Sequence, residues 1–558
     1  MRVIAWLSLV VMIGSFLCRP LADPDLWWHI TVGKWIVAHK DVPHVDYWNL
    51  FGAGNPWRAY SWSNEVVYAL VDTWYKHTGL AWLQLLLGLA LALTIMWVFG
   101  VLAGDYFLGS AVGIVATVAC KSHFSLRPQT LIWILFTLVI LCAELSNRHG
   151  AKKRYLLALF ALGCAWANTH ISAIFGVVCV ALWPLTGGLT RQLAYRIGLL
   201  VAFFVAGTFI SPYLGGEWLT LLSKSDHMFS FRSLDEFKLA NLNQVPTLCL
   251  LFQVVALGVL SYYSRQLPAL GGMLVAAIMI AVGTLAVKFI PFACIAVGAL
   301  TAVWLRSAAI NRVDTASNGL LNGLLLLKRF FASRDAQTLG ACAFFVGCIG
   351  WVNIAKATRQ PVNYSATPKY AVDFMEAHSL QHPVLSDFMS GGYLQYRWSS
   401  PAGEPRHLVP LDGRTNVNRR DVWESYMHAF RGSEKWRDYL AKVNPQTIIW
   451  RQGSPLVPLL LEAPEWCRVF ESGRRVDSFA IFIKREEFER RQGEFTSSDC
   501  QAEEDGLAAD KAPESPKSEK PVCKDLCGDG VCQEIVCMAV GCPCPESPSQ
   551  CPADCKQG

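Results

Sequence analysis

Charge is scarce in this chain. Only 16% of its 558 residues are Asp, Glu, Lys or Arg, against 53% hydrophobic, and the mean hydropathy is +0.31. A soluble globular domain carries about 25% charged residues, so an ordinary soluble protein is excluded. The net charge of +6 is no nucleic-acid footprint, because the basic residues sit mostly in short loops between apolar blocks; no nucleic-acid partner is expected. A second absence is a usable cleavage site after the apolar N-terminus. Cutting after Ala22 would put Pro20 at the −3 position, so residues 3–20 read as an uncleaved first span. The cysteine-dense C-terminal segment has no C-x-x-C pair and no histidine, which argues against a zinc module. No clear internal repeat is found, against the repeat-built transporters.

What is present is a series of apolar blocks near the length of a bilayer core. They run at 3–20, 80–103, 107–121, 129–146, 155–170, 171–187, 197–213, 246–263, 268–286, 289–305 and 338–356, about eleven in all. Residues 62–78 are apolar on one face only and read as an interfacial helix. The basic loops at 147–154, at Arg191 and Arg196, at Arg265 and from Arg306 to Arg334 all fall on one side if eleven spans are counted. That side is cytoplasmic. The expectation is a multi-pass protein of the inner (plasma) membrane with its C-terminus periplasmic. Residues 1–356 would form the transmembrane part, with a first outer loop at 21–62.

Beyond 356 the pattern changes. Apolar runs shorten to strand length in "TIIW" and "FAIFI", and "SGG" and "LDGR" read as turns. Residues 357–490 are expected to be an extracytoplasmic α/β domain, and 491–522 a disordered linker. The segment 523–558 holds eight cysteines: Cys523, Cys527, Cys532, Cys537, Cys542, Cys544, Cys551 and Cys555. On an oxidising side these read as four disulfides. "CGDGVCQE" offers Asp529 and Glu534 to calcium but is too short for an EF-hand. Cys467 and Cys500 are a further candidate pair. The nine other cysteines lie in or beside spans and read as packing residues.

The chemistry-bearing residues gather on the outer face. "ADPDLWWHI" puts Asp23 and Asp25 at the end of the first span. Asp-Pro-Asp is also good helix-start chemistry, with Asp23 as N-cap. Trp27, Trp28 and Trp35 read as an interfacial aromatic belt. "SHFSLRPQ" adds His123 and Arg127, "WANTHIS" adds Asn168 and His170, and "AVKFIPF" adds Lys288. Ionisable groups at membrane depth are functional candidates, although Arg127 and Lys288 also fit simple snorkelling. His170 also fits an interhelical hydrogen bond, and Glu65 the polar face of its helix. Carboxylates beside cations suit acid–base chemistry on a lipid phosphate.

"DPDLWWHITVGKWIVAHKDVPHVDYWN" followed by "WSNEVVYAL" resembles a group of bacterial membrane proteins of the GT-C glycosyltransferase superfamily. That class includes protein mannosyltransferases and lipid A aminoarabinose transferases. The resemblance continues in "LRPQTLIWIL", "WANTHISAIFG" and "SGGYL…PLDGRTN". It covers roughly residues 1–485 and leaves out the cysteine-rich tail. One departure is at Ser172 and Ala173, which stand where relatives often carry paired glycines. The resemblance implies a hexosyl or pentosyl transferase that takes a sugar from a polyprenyl-phosphate carrier to an extracytoplasmic acceptor, a glycan, lipid or protein of the cell envelope. It implies Asp25 as base or metal ligand, with Asp23 as its partner and Glu65 among the catalytic acids. Mg or Mn at Asp23 and Asp25 is compatible with it. Arg127, His170 and Lys288 would neutralise the lipid phosphate as it leaves, Asn168 would join them in binding substrate, and Asp412 and Arg414 would shape the acceptor side. The partners are then the lipid-linked donor, the acceptor and membrane lipids. Two other readings stay open: a transporter or flippase of a lipid-linked glycan, and a non-catalytic scaffold of the cell envelope.

Overall fold

The computed structural model describes residues 2–223, 235–310, 336–364, 367–414, 417–473, 478–491, 493–495, 500, 526–528, 531–532, 551 and 553–555. Up to Cys500 the chain forms one compact unit, and residues 501–558 form a second.

Each of the eleven apolar blocks contains a helix. The first six helices are α1 (Arg2–Leu17), α2 (Asp25–His39), α3 (Trp62–Ala103), α4 (Tyr106–Cys120), α5 (Pro128–His149) and α6 (Lys153–Ala167). Among the described residues, four helices are long and apolar enough to cross a membrane: Trp62–Ala103, Pro128–His149, Val245–Ser264 and Val287–Ala308. With this composition the chain is a membrane protein. The block at 171–187 holds only the nine-residue helix Ile174–Leu182. At 1.5 Å per residue that is about 14 Å, short of a ~30 Å hydrocarbon core, so the count of eleven crossings is not established. In α3 the backbone leaves helical geometry at Lys76 (φ 54°, ψ −155°). This break separates the half-polar stretch read as interfacial from the apolar remainder.

Residues beyond 360 build a four-stranded sheet, β1 (Val384–Ser386), β2 (Thr447–Arg451), β3 (Trp466–Glu471) and β4 (Phe479–Lys484), in the order β1-β2-β4-β3. β1 and β2 are parallel, with Val384 opposite Thr447; β2–β4 and β4–β3 are antiparallel. "TIIW" and "FAIFI" are strands because both faces are covered and uninterrupted apolar runs are needed. Ile449, Ile481 and Ile483 enter the core shared with α2, whereas Ile448, Trp450 and Phe482 face Trp423 and Tyr439. The alternation follows the two-residue period of a strand.

Two expectations need correction. "SGG" is no turn: it lies inside the helix Phe388–Arg397, which Asp387 caps by accepting from the Ser390 N–H at 2.7 Å. The glycines serve close packing. A Cβ on Gly391 would fall on the Leu411 carbonyl oxygen, and one on Gly392 would meet that of Pro24. Nor do Trp27, Trp28 and Trp35 form a lipid-facing belt. All three are buried, and Trp27 packs 5.1 Å from Tyr393 and 5.2 Å from Tyr396 between ring centres.

A disulfide joins Cys467 to Cys500 in the first unit; Cys527–Cys551 and Cys532–Cys555 lie in the second. Cys523, Cys537, Cys542 and Cys544, Asp529 and Glu534, and nearly all of the 491–522 linker fall outside the described residues.

Candidate active site

α2 begins at Asp25. Pro24 already has helical angles, and the Asp23 carboxylate accepts the Asp25 N–H at 3.0 Å. The N-cap is therefore Pro24, one residue later than expected, and Asp23 accepts the first helical N–H with one oxygen and meets Arg127 with the other. Arg127 precedes Pro128, the first residue of α5, and is extended (φ −121°, ψ 155°), as a residue before proline must be. The guanidinium meets Asp23 through Nε at 2.5 Å, Asp25 through Nη2 at 3.2 Å and Glu236 through Nη1 at 2.6 Å. Glu236 comes from a single 3-10 turn, Asp235–Phe237. The Lys288 ammonium lies 4.0 Å from Glu236 and 3.5 Å from the centre of the Phe237 ring.

A cavity of about 280 Å³ opens beside this cluster, lined among others by Arg19, Asp23, His123, Arg127, Gln129 and Glu236. The groups perturb one another. Arg127 holds the Glu236 carboxyl down to about 2, outweighing burial. Burial raises the Asp25 carboxyl above the usual carboxylate range even though Arg127 pulls it the other way. Burial also lowers the His123 imidazole. Arg127 stays charged: burial disfavours its cation, but the surrounding carboxylates hold it well above its ordinary value. The sheet-bearing part of the chain reaches the same spot, since a Cβ on Gly413 of "LDGR" would fall on Asp25 Oδ1.

The other expected site residues are placed differently. Glu65 is fully buried, accepting from Ser61 Oγ at 2.8 Å and facing His29 Nδ1 at 3.1 Å. It does not line the cavity. Asn168 accepts from Trp62 Nε1 and donates to the Cys164 and Ile210 carbonyls, which makes it a helix-end tie. His170 Nδ1 accepts from the Ser172 N–H at 3.2 Å, and its ring meets Tyr60 edge-on. Arg414 is buried with Asp46 and Asp412, at 2.5 and 2.6 Å, under Trp48 and Trp57. It faces the first loop rather than open solvent. The sequence reading gave no role to Glu236 or Arg19. The only signal for Glu236 was an acid in an outer loop, and for Arg19 a cation ending the first span.

As arranged, the carboxylates do not fit a divalent ion. Asp23, Asp25 and Glu236 all point oxygens at one guanidinium. Among the described residues the only converging set of three ligand atoms is Cys527, Cys551 and Asp554, and both sulfurs there are in disulfides.

No family model and no curated protein matches the chain. Solved structures do. An Archaeoglobus fulgidus oligosaccharyltransferase tethered to an acceptor peptide aligns over 84% of this chain and 72% of its own, at 11% identity and TM-score 0.47. AglB from the same organism, with an inhibitory peptide and a dolichol-phosphate, covers 86% and 74% at 10% identity and TM-score 0.48. ArnT from Cupriavidus metallidurans, bound to undecaprenyl phosphate, covers 86% and 97% at 15% identity and TM-score 0.47. These neighbours are glycosyltransferases of the GT-C class that the motifs resemble. At such identities and scores the likeness says nothing by itself about what this chain transfers.

Proposed function

We propose that the chain is a membrane glycosyltransferase that moves a sugar from a polyprenyl-phosphate carrier to an extracytoplasmic acceptor. The observation that carries this reading is the Arg127 cluster: one guanidinium bridging three carboxylates at the edge of a polar cavity. Asp25 is the most loosely held of the three, at 3.2 Å against 2.5 and 2.6 Å. An entering phosphate competes for Arg127 and displaces Asp25 first. The released carboxylate then takes the proton of the acceptor hydroxyl as the oxygen bonds to the sugar's anomeric carbon. The bond from that carbon to the phosphate oxygen breaks. The charge gathering on the leaving phosphate is met by Arg127, Arg19 and Lys288, through charge-assisted hydrogen bonds. Burial makes Asp25 a stronger base than a free carboxylate, which favours proton acceptance. Glu65 and His29 back α2 from inside, and Arg414 and Asp412 hold Gly413 against Asp25. No step requires a metal.

The test is transfer from a polyprenyl-phosphate-linked sugar by purified protein in nanodiscs. A positioned base contributes about 10²- to 10⁴-fold, so Asp25→Asn should lose that much while its melting temperature stays near wild type. Asn keeps the size of the side chain but cannot accept the proton. Wild-type turnover in a folded Asp25→Asn protein would end the proposal.

A further inference from the structure

A second cavity lies in the outer domain, away from Arg127. Its volume is about 550 Å³, within the ~300–1,000 Å³ range of small-molecule sites. Its walls include Glu376, His382, Arg397, Trp398, Arg406 and His407. His382 and His407 are stacked, with ring centres 3.5 Å apart and planes within 5°, and Trp398 meets His382 edge-on at 4.6 Å. Trp398 is only 4% exposed, yet its indole N–H has no partner, and neither has His382 Nδ1. Buried polar atoms of this kind are nearly always satisfied, and an orphan pair lining one cavity calls for an explanation.

The charges are unevenly matched. Arg397 is neutralised in place by Asp373 and Glu376, and its Nη1 also reaches the Tyr393 hydroxyl at 3.0 Å. It is a fixed wall. Arg406 is exposed and has no ion pair among the described residues. The cavity therefore has a wall of stacked imidazoles backed by a buried indole, unsatisfied hydrogen-bonding atoms in that wall and one guanidinium with no ion pair among the described residues. A neutral apolar ligand would leave the indole N–H orphaned. A simple inorganic anion would leave most of the volume empty.

We infer that this cavity binds an acidic sugar residue, its hydroxyls reaching Trp398 Nε1 and His382 and its carboxylate pairing with Arg406. A planar guanidinium matches a carboxylate in two-point geometry. The inference stands whether or not the chain transfers a sugar, because it concerns binding alone.

The experiment uses the full chain in nanodiscs and two probes of equal length, a glucuronate-containing tetrasaccharide and the neutral cellotetraose. Binding is read by saturation-transfer NMR and by calorimetry, with no donor lipid present. The acidic probe should bind at least ten-fold more tightly. Arg406→Gln should abolish that preference; Arg406 is exposed, so folding is not at stake. Trp398→Phe keeps the ring and loses the N–H, and should weaken both probes about five-fold, the worth of one hydrogen bond. Equal binding of the two probes, no binding of either, or a preference that survives Arg406→Gln would each overturn the inference. None of these results depends on the Asp25→Asn assay.

Discussion

Two arginines of this molecule sit among carboxylates, and they differ in what surrounds them. Arg414 is 1% exposed between Asp46 and Asp412, both at 0%, with Trp48 and Trp57 over it. Arg127 is 15% exposed, and its partners Asp23, Asp25 and Glu236 are 10, 21 and 37% exposed; Asp23 and Glu236 line the cavity with Arg127, and Asp25 lies just behind them. The pairing chemistry is the same. In the first case no ligand can exchange with the carboxylates, so the pair fixes the "LDGR" segment on the loop that carries Asp46. In the second the partners are reachable, and under the proposed function a competing anion opens the pair. Accessibility, not residue type, separates a strut from a binding group.

The largest effect is expected at the buried member. Arg414→Ala leaves Asp46 and Asp412 as uncompensated buried charges, which costs about 3–5 kcal/mol. Thermal melting should drop sharply, and the loop that presents Gly413 should become protease-sensitive. A variant that melts like the wild type would erase the distinction drawn between the two arginines. At the open member, Arg127→Gln gives up its pairs with Asp23, Asp25 and Glu236 and should melt below wild type, but by less than Arg414→Ala, since water reaches its partners. It should bind a polyprenyl phosphate roughly ten-fold or more weakly, the loss of charge-assisted hydrogen bonds. Binding by fluorescence quenching of a labelled lipid would measure this. Unchanged binding would leave Arg127 a second strut.

The smallest effect concerns acid. Glu236 is held at about 2 in the folded protein against about 4.3 for a free glutamate. Its depressed value stabilises the fold fully above pH about 4.3, and that contribution fades as pH falls toward 2. The melting temperature of Glu236→Gln should therefore fall less than that of wild type between pH 5 and 3. Asp25 has the opposite sign. Its carboxyl is raised, so ionising it disfavours the fold, and Asp25→Asn should not lose stability at neutral pH. Parallel acid profiles for Glu236→Gln and wild type would count against the Arg127–Glu236 pair.

Much of the architecture was legible from the chain. The apolar blocks became helices, and "TIIW" and "FAIFI" became strands, because composition and period act locally and tertiary packing here agreed with them. Asp23, Asp25, Arg127 and Lys288 could be singled out because ionisable groups beside apolar blocks stand out against their neighbours. Glu236 carried no such contrast. An acid in a polar outer loop has no periodic signature, and only the fold brings it to Arg127, 109 residues away in sequence. "SGG" misled because glycine serves turns and close helix packing alike, and the choice rested on the Leu411 and Pro24 carbonyls.

The sequence alone determined that this is a helical membrane protein with strand-forming segments after its apolar blocks, since burial of apolar blocks and strand alternation are properties of short segments. It also determined that Asp-Pro-Asp opens a helix, although the first helical residue is Asp25 and not Pro24. Only the tertiary structure decided which charges meet. Arg127 gathers two carboxylates from the start of α2 and a third from the Asp235–Phe237 turn, Arg414 disappears beneath tryptophans, and Gly413 abuts Asp25. Ion pairing acts over a few ångströms in space with no memory of sequence distance, so neither arginine's role was written in the residues around it.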